Sequence, residues 1–128
     1  MAAKQIRPTK LELEILRVLW DAGPRSVRDI QKILNDIKPT GYTTVLKMLQ
    51  IMTEKGLVER DETVRPQIYR ARHSQDHTQK HLVRDLIQRA YGGSVKTLVM
   101  HALGTRKASQ KDLEAIEKLL DRFEGDGK

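Results

Sequence analysis

Four polar residues open a helix-like stretch. They are Tyr42, Thr43, Thr44 and Lys47 in "TGYTTVLKMLQIMTEKGLV", residues 40–58. Their chemistry suits a surface that reads duplex DNA. Threonine can hydrogen-bond a base edge and can touch a thymine methyl, and lysine reaches guanine or a phosphate. The Tyr42 hydroxyl can bond a phosphate, a contact that sets register rather than sequence. At helical spacing, 43, 44 and 47 share one face, while Val45, Leu46, Leu49 and Met52 form the apolar face. The competing use of Thr43 or Thr44 is to cap the helix. The competing use of Lys47 is plain solvation.

His73, His77 and His81 are the other residues with chemical spacing, at i, i+4 and i+8. Two histidines at i, i+4 on a helix can hold zinc. Ser74 reads as a helix cap, which leaves His73 outside the regular helix. Asp76 and Asp85 are near in sequence, but neither is an obvious third ligand. The expectation is therefore no metal and no cofactor, with His77 and His81 the pair that would serve a metal-responsive regulator. Histidines at a dimer seam could also confer pH sensitivity. His101, on an apolar helix, reads as a packed residue. Catalysis finds no support. There is no Gly-rich phosphate loop, no His-Glu-x-x-His and no Gly-x-Ser-x-Gly, and the carboxylates lie mostly beside Lys or Arg.

The elements that must position the threonine-rich face follow from hydrophobic period and punctuation. "PTKLELEILRVLWDAGP" has Thr9 and Glu12 at capping-box spacing, an apolar stripe of Leu11, Ile15, Val18 and Leu19, and Gly23–Pro24 to end it. "SVRDIQKILNDI" repeats the device with Ser26 and Asp29, and with Val27, Ile30 and Leu34 as its stripe. The third helix carries the polar start described above and ends at Gly56. The period then changes. Leu57–Arg60 and Gln67–Ala71 read as two strands of a hairpin with a four- to six-residue connection. Three helices followed by a hairpin is winged helix-turn-helix order, and in that motif the N-terminal residues of one helix enter the major groove. Arg25 and Arg28 open the second helix, where a phosphate could meet them. Arg65 sits near the wing tip, with Arg70 and Arg72 on the return strand. Asp61 and Glu62 disfavour phosphate, so the wing should approach DNA through Arg65 alone.

Charge agrees in direction. The chain has 128 residues, a net charge of +7 and a pI near 9.8. Residues 1–72 hold 14 Lys/Arg against 9 Asp/Glu, and residues 73–128 hold 10 against 8. The basic excess thus lies mainly where a polyanion would bind. A chain without cysteine has no disulfide, thiolate zinc site or cysteine nucleophile. "MAAKQIRPTK" lacks the apolar core of a secretory signal, and no apolar run approaches membrane-spanning length. The expected location is the cytoplasm, without membrane insertion.

From Ser74 the helical period returns. Leu82, Leu86 and Ala90, with Val83 and Ile87, mark a fourth helix that Gly92–Gly93 breaks after Tyr91. Ser94 caps a short fifth helix with Val95, Leu98, Val99 and Ala102, expected to end at Gly104. Ser109 and Asp112 open a sixth with Leu113, Ile116, Leu119, Leu120 and Phe123. Three short amphipathic helices have little core to share. A symmetric homodimer is the economical partner, and Leu82, Leu86, Tyr91, Leu98, Val99, Leu113, Ile116 and Leu120 are its candidate contacts. The expected fold is mainly α with a small β-hairpin wing. Residues 1–72 form a winged-helix DNA-binding domain and residues 73–128 a three-helix dimerisation arm. Two other readings stay open: a winged helix used only for protein contacts, and a winged-helix regulator that binds a small effector. The first would not need a threonine-rich helix face. The second has little aromatic material for a pocket.

"YTTVLKMLQIMTEKGLVER" followed by "QIYRA" resembles the penicillinase-repressor family. "TKLELEILRVLWDAG" is similar to that family's first helix. "LIQRAYGGSVKTLVMHAL" followed by "ASQKDLEAIEKLLD" is similar to its dimerisation region. The resemblance runs from about Pro8 to Asp121. It implies a dimeric transcriptional repressor on a palindromic operator, with contacts at Tyr42, Thr43, Thr44 and Lys47. Leu46 stands where some members carry a basic residue. The resemblance also implies a partner, a membrane sensor protease that inactivates members answering β-lactams by cutting an Asn–Phe bond in the fifth helix. Here that pair reads His101–Ala102. The cysteine-rich metal motif of the family's copper-responsive branch is missing.

Overall fold

Thr9 starts the first helix as its spacing predicts. In the computed structural model, which describes residues 7–105 and 108–126 and the backbone alone from 123 onward, helix α1 spans Lys10–Ala22. The opening residues 1–6 and the Phe123 side chain, both used above, lie outside the described residues. The Thr9 hydroxyl accepts from the Glu12 amide at 3.3 Å, and the Glu12 carboxylate accepts from the Thr9 amide at 2.8 Å. Both bonds satisfy helix donors that otherwise lack partners. Gly23, at φ 84°, closes the helix in a conformation other residues rarely adopt.

Next comes a strand that periodicity does not reveal. Arg25–Ser26 form β1, which pairs antiparallel with β3 (Ile68–Ala71) in the register Arg25↔Tyr69 and Ser26↔Ile68. Arg25 therefore lies in the sheet rather than at a helix start. Two residues are too few to show alternation, and only the partner strand defines them as sheet. Ser26 also caps α2 (Val27–Ile37), its hydroxyl accepting from the Asp29 amide at 3.2 Å. The return bond expected from Asp29 is not formed among the described residues. Its side chain is one methylene shorter than the Glu12 side chain that completes the box in α1.

The turn into α3 (Tyr42–Lys55) is tied by side chains. Asn35 Oδ1 accepts from the Thr40 amide at 2.9 Å, and the Gln31 amide donates to the Thr40 carbonyl at 2.8 Å. The end of α2 thus grips the residue just before α3. At the other end Gly56 adopts φ 80°, and backbone bonds from Gly56 and Leu57 return to Thr53 and Met52. Strand β2 (Val58–Asp61) then pairs antiparallel with β3, Val58 opposite Ala71 and Asp61 opposite Ile68. The connection is residues 62–67, and the strand order is β1-β3-β2.

One core holds these pieces together. Ile15, Ile30, Val45, Leu49 and Met52 are fully buried, with Leu16, Leu19, Leu34, Val58 and Tyr69 close to it. At about 1.5–3 kcal/mol per buried large apolar side chain, this cluster accounts for the closed packing of the winged helix. Glu12 lies in the same interior, 1% exposed, and Lys55 at the end of α3 meets both its oxygens at 3.0 Å. The pair joins the start of α1 to the end of α3.

The chain divides into two compact units, Met1–Leu82 and Val83–Lys128. Helix α4 (Gln75–Ala90) begins in the first and ends in the second. Gly92 and Gly93, at φ 55° and 92°, make the break to α5 (Val95–Thr105), and α6 spans Gln110–Asp126. Ser94 and Ser109 cap these two helices by accepting from the Thr97 and Asp112 amides. Helix α5 continues through Gly104 to Thr105, one residue past its expected end. A helical glycine costs only about 1 kcal/mol relative to alanine, and the Thr105 hydroxyl donates to the Ala102 carbonyl at 3.0 Å. No described residue of the second unit is buried. Among the described residues no helix is long and apolar enough to cross a membrane.

Candidate nucleic-acid interface

Helix α3 has two unlike faces. Val45, Leu49 and Met52 are buried in the core, while Tyr42, Thr43, Thr44, Lys47 and Gln50 are exposed. Leu46, beside Lys47, is half-buried and packs against the core. Neither threonine caps the helix. The N-cap is Gly41, which has no side chain to cap with, and no side-chain bond replaces it. The first turn also carries no acidic residue. Its amide groups and the positive end of the helix dipole are therefore open to an anion. Among the described residues no hydrogen bond or ion pair engages the side chains of Tyr42, Thr43, Thr44 or Lys47.

Gln50 is a further exposed polar residue of this face. It follows Lys47 by three residues and Thr43 by seven, so the same helical stripe continues through it. Its amide can donate and accept together, the chemistry that pairs with adenine in a major groove. The spacing was legible, but its place within the apolar-rich "MLQIM" hid it.

The supporting cations fall into two groups. Arg28, in the first turn of α2, and Arg65, in the wing connection, are exposed, with no ion-pair partner among the described residues. Others are already engaged. Arg70 lies 3.4 Å from Glu59, its cross-strand neighbour, and Arg60 holds Glu62 at 2.7 Å. The wing acids Glu59 and Glu62 are thus paired with arginines. Asp61 accepts from the Thr63 amide and hydroxyl at 2.9 and 2.6 Å, and these bonds hold its carboxyl below the usual range. The first-turn face of α3, Arg28 and Arg65 are three open polar sites on one winged helix. Arg72 is exposed beside Gly56, with a guanidinium nitrogen 3.0 Å from where a Cβ there would sit.

The candidate dimer contacts sit on α4, α5 and α6. Leu82, Tyr91, Leu98 and Ile116 are half-buried, and Leu86, Val99, Leu113 and Leu120 are exposed. Val95 and Met100 are more open still, at 57% and 60%. His101, expected to be packed, is exposed instead. Its Nδ1 lies 3.1 Å from the Tyr91 hydroxyl, with the two rings edge to face at 5.4 Å. Apolar neighbours along the sequence do not by themselves bury a residue. The His101–Ala102 peptide lies inside α5, so its backbone groups belong to a helical ladder that a protease would have to unwind.

His73 lies before α4, as the Ser74 cap requires, and its carbonyl accepts from the Trp20 indole at 3.0 Å. Burial lowers its imidazole pKa, and His77, Arg72 and His81 add to the effect.

The family model described as penicillinase repressor matches residues 8–122. The penicillinase repressor of Staphylococcus aureus is 19% identical over 121 residues, covering 94% of this chain and 96% of the relative. The transcriptional regulator BlaI of Mycobacterium tuberculosis is 28% identical over 124 residues, covering 95% and 88%.

Proposed function

The chain belongs to the penicillinase repressor family, whose proteins are transcriptional regulators rather than enzymes, and from this premise we propose that it is a homodimeric repressor that reads a palindromic operator with α3. Tyr42, Thr43, Thr44 and Lys47 meet the major groove, Gln50 extends the reading face, and Arg28 and Arg65 hold flanking phosphates. The observation that carries the reading is the start of α3: a polar, uncapped and acid-free turn presented by a helix whose other face is fully buried. A helix used only for protein contacts has no need of that arrangement.

The second copy follows from the other unit. Leu86, Val99, Leu113 and Leu120 are each 40–56% exposed. Large apolar side chains left this open on three helices support a covering partner, and two-fold pairing also matches a palindrome. Residues 1–72 act as the DNA-binding part and residues 73–128 as the dimerisation part.

Genomic DNA pull-down followed by a salt-titrated gel shift tests the proposal. The expected result is a short palindrome bound with affinity that falls steeply with salt, because each phosphate contact releases counterions. Lys47→Ala should weaken binding and, with two copies per dimer, lower the salt slope by about 2, with an unchanged circular-dichroism spectrum. Operator affinity that ignores both salt and Lys47 would reject it.

A further inference from the structure

Three imidazoles form a ladder where the chain leaves the wing and enters α4. The His73 and His77 rings stack with centroids 4.6 Å apart and planes 27° apart. The His77 and His81 rings follow at 4.5 Å and 54°. His77 and His81 are exposed on regular turns of α4, one helical turn apart. The Ser74 hydroxyl accepts from the His77 amide at 3.1 Å, which fixes the start of that helix. Among the described residues no hydrogen bond or ion pair occupies a ring nitrogen of His77 or His81. The proposed operator contacts include neither residue.

We propose that His77 and His81 chelate a borderline divalent transition-metal cation, Cu²⁺ most tightly and Ni²⁺ and Zn²⁺ less so. Neutral imidazole suits these ions, and the divalent series places Cu²⁺ at its maximum. Side chains at i, i+4 are neighbours on the helix surface, so one nitrogen from each ring can reach one ion. No group of three or more His, Cys, Asp or Glu is arranged to hold an ion among the described residues. The site is therefore a two-imidazole chelate whose other coordination positions fall to water. It requires helical spacing, so an ion bound there favours the folded first turns of α4 over their frayed form. The inference goes beyond operator binding and does not depend on it.

Trp20 provides the readout. It is the single tryptophan, and its indole donates to the carbonyl of His73, the next rung of the ladder. Cu²⁺ alone, titrated into the full-length protein at pH 7.5, should quench Trp20 fluorescence saturably at one ion per chain. His77→Gln and His81→Gln should each weaken that quenching at least about tenfold, a conservative figure for the loss of one of two ligands. His101→Gln should leave it unchanged. Lowering the pH to 5.5 should also weaken it, because protons compete for imidazole. All three substituted residues are exposed, so the variants should keep the wild-type circular-dichroism spectrum. The proposal is overturned if no saturable quenching occurs, or if quenching survives both His77→Gln and His81→Gln undiminished.

Discussion

The two units are built from helices of similar length, yet they differ in what those helices bury. In the first, α1, α2, α3 and the sheet close around residues such as Ile15, Ile30, Val45, Leu49 and Met52, all at 0% exposure. In the second, α4, α5 and α6 carry comparable leucines and valines, and none that is described is buried. The difference lies in completion rather than composition. The small sheet and the tied turn between α2 and α3 give the first unit's helices something to face. No described apolar residue of the second unit reaches comparable burial. The lesson is that an amphipathic helix states a need for a partner without saying which chain supplies it.

The most demanding test of this contrast is truncation. A fragment ending at Leu82 keeps the whole core and the Trp20–His73 bond. It should melt cooperatively as a monomer and bind the operator about 10²–10⁴-fold more weakly, because it loses the avidity of two linked half-sites. Full operator affinity in the fragment would remove the reason for a dimer.

A matched pair of substitutions sharpens the contrast. Leu49→Ala, at 0% exposure, should cost about 2–5 kcal/mol in urea melts through the cavity it leaves. Leu120→Ala, at 56% exposure, should instead appear in sedimentation equilibrium, weakening self-association by roughly 1 kcal/mol per chain. Equal losses of unfolding stability, with self-association unchanged, would break the comparison.

A smaller effect concerns charge inside the first unit. Lys55→Met removes the ammonium that meets both oxygens of Glu12, whose side chain is 1% exposed. Stripping one partner from such a pair should destabilise by about 2 kcal/mol, less than for a fully buried pair because Lys55 itself is 36% exposed. Thermal melts of the variant would measure it. An unchanged midpoint would mean that the Thr9 amide alone suffices for Glu12.

Sequence and structure agree where local chemistry is sufficient. The Thr9–Glu12 box, the Ser26, Ser94 and Ser109 caps, the Gly56 stop and the Gly92–Gly93 break are each written in a few adjacent residues. The candidate reading face was legible for the same reason: a polar first turn on a helix whose other residues follow an apolar period. The misses involve distance or missing neighbours. Strand β1 exists only because β3 lies beside it. Glu12 was legible as a cap, but its pairing with Lys55, 43 residues away, was not. His101 read as packed because its sequence neighbours are apolar, whereas burial depends on what lies across from it.

The sequence by itself determined the six helices and the β2–β3 hairpin, their order, most of their ends and the side of α3 that carries polar chemistry, because helix period, caps and turn residues act over a few positions. Tertiary structure alone decided that Gly41 rather than a threonine heads α3, that Arg25 joins the sheet, that three histidine rings stack at the start of α4, and that no described residue of α5 or α6 is buried. Each of these depends on backbone placement or on the presence of a partner surface, and short-range pattern encodes neither.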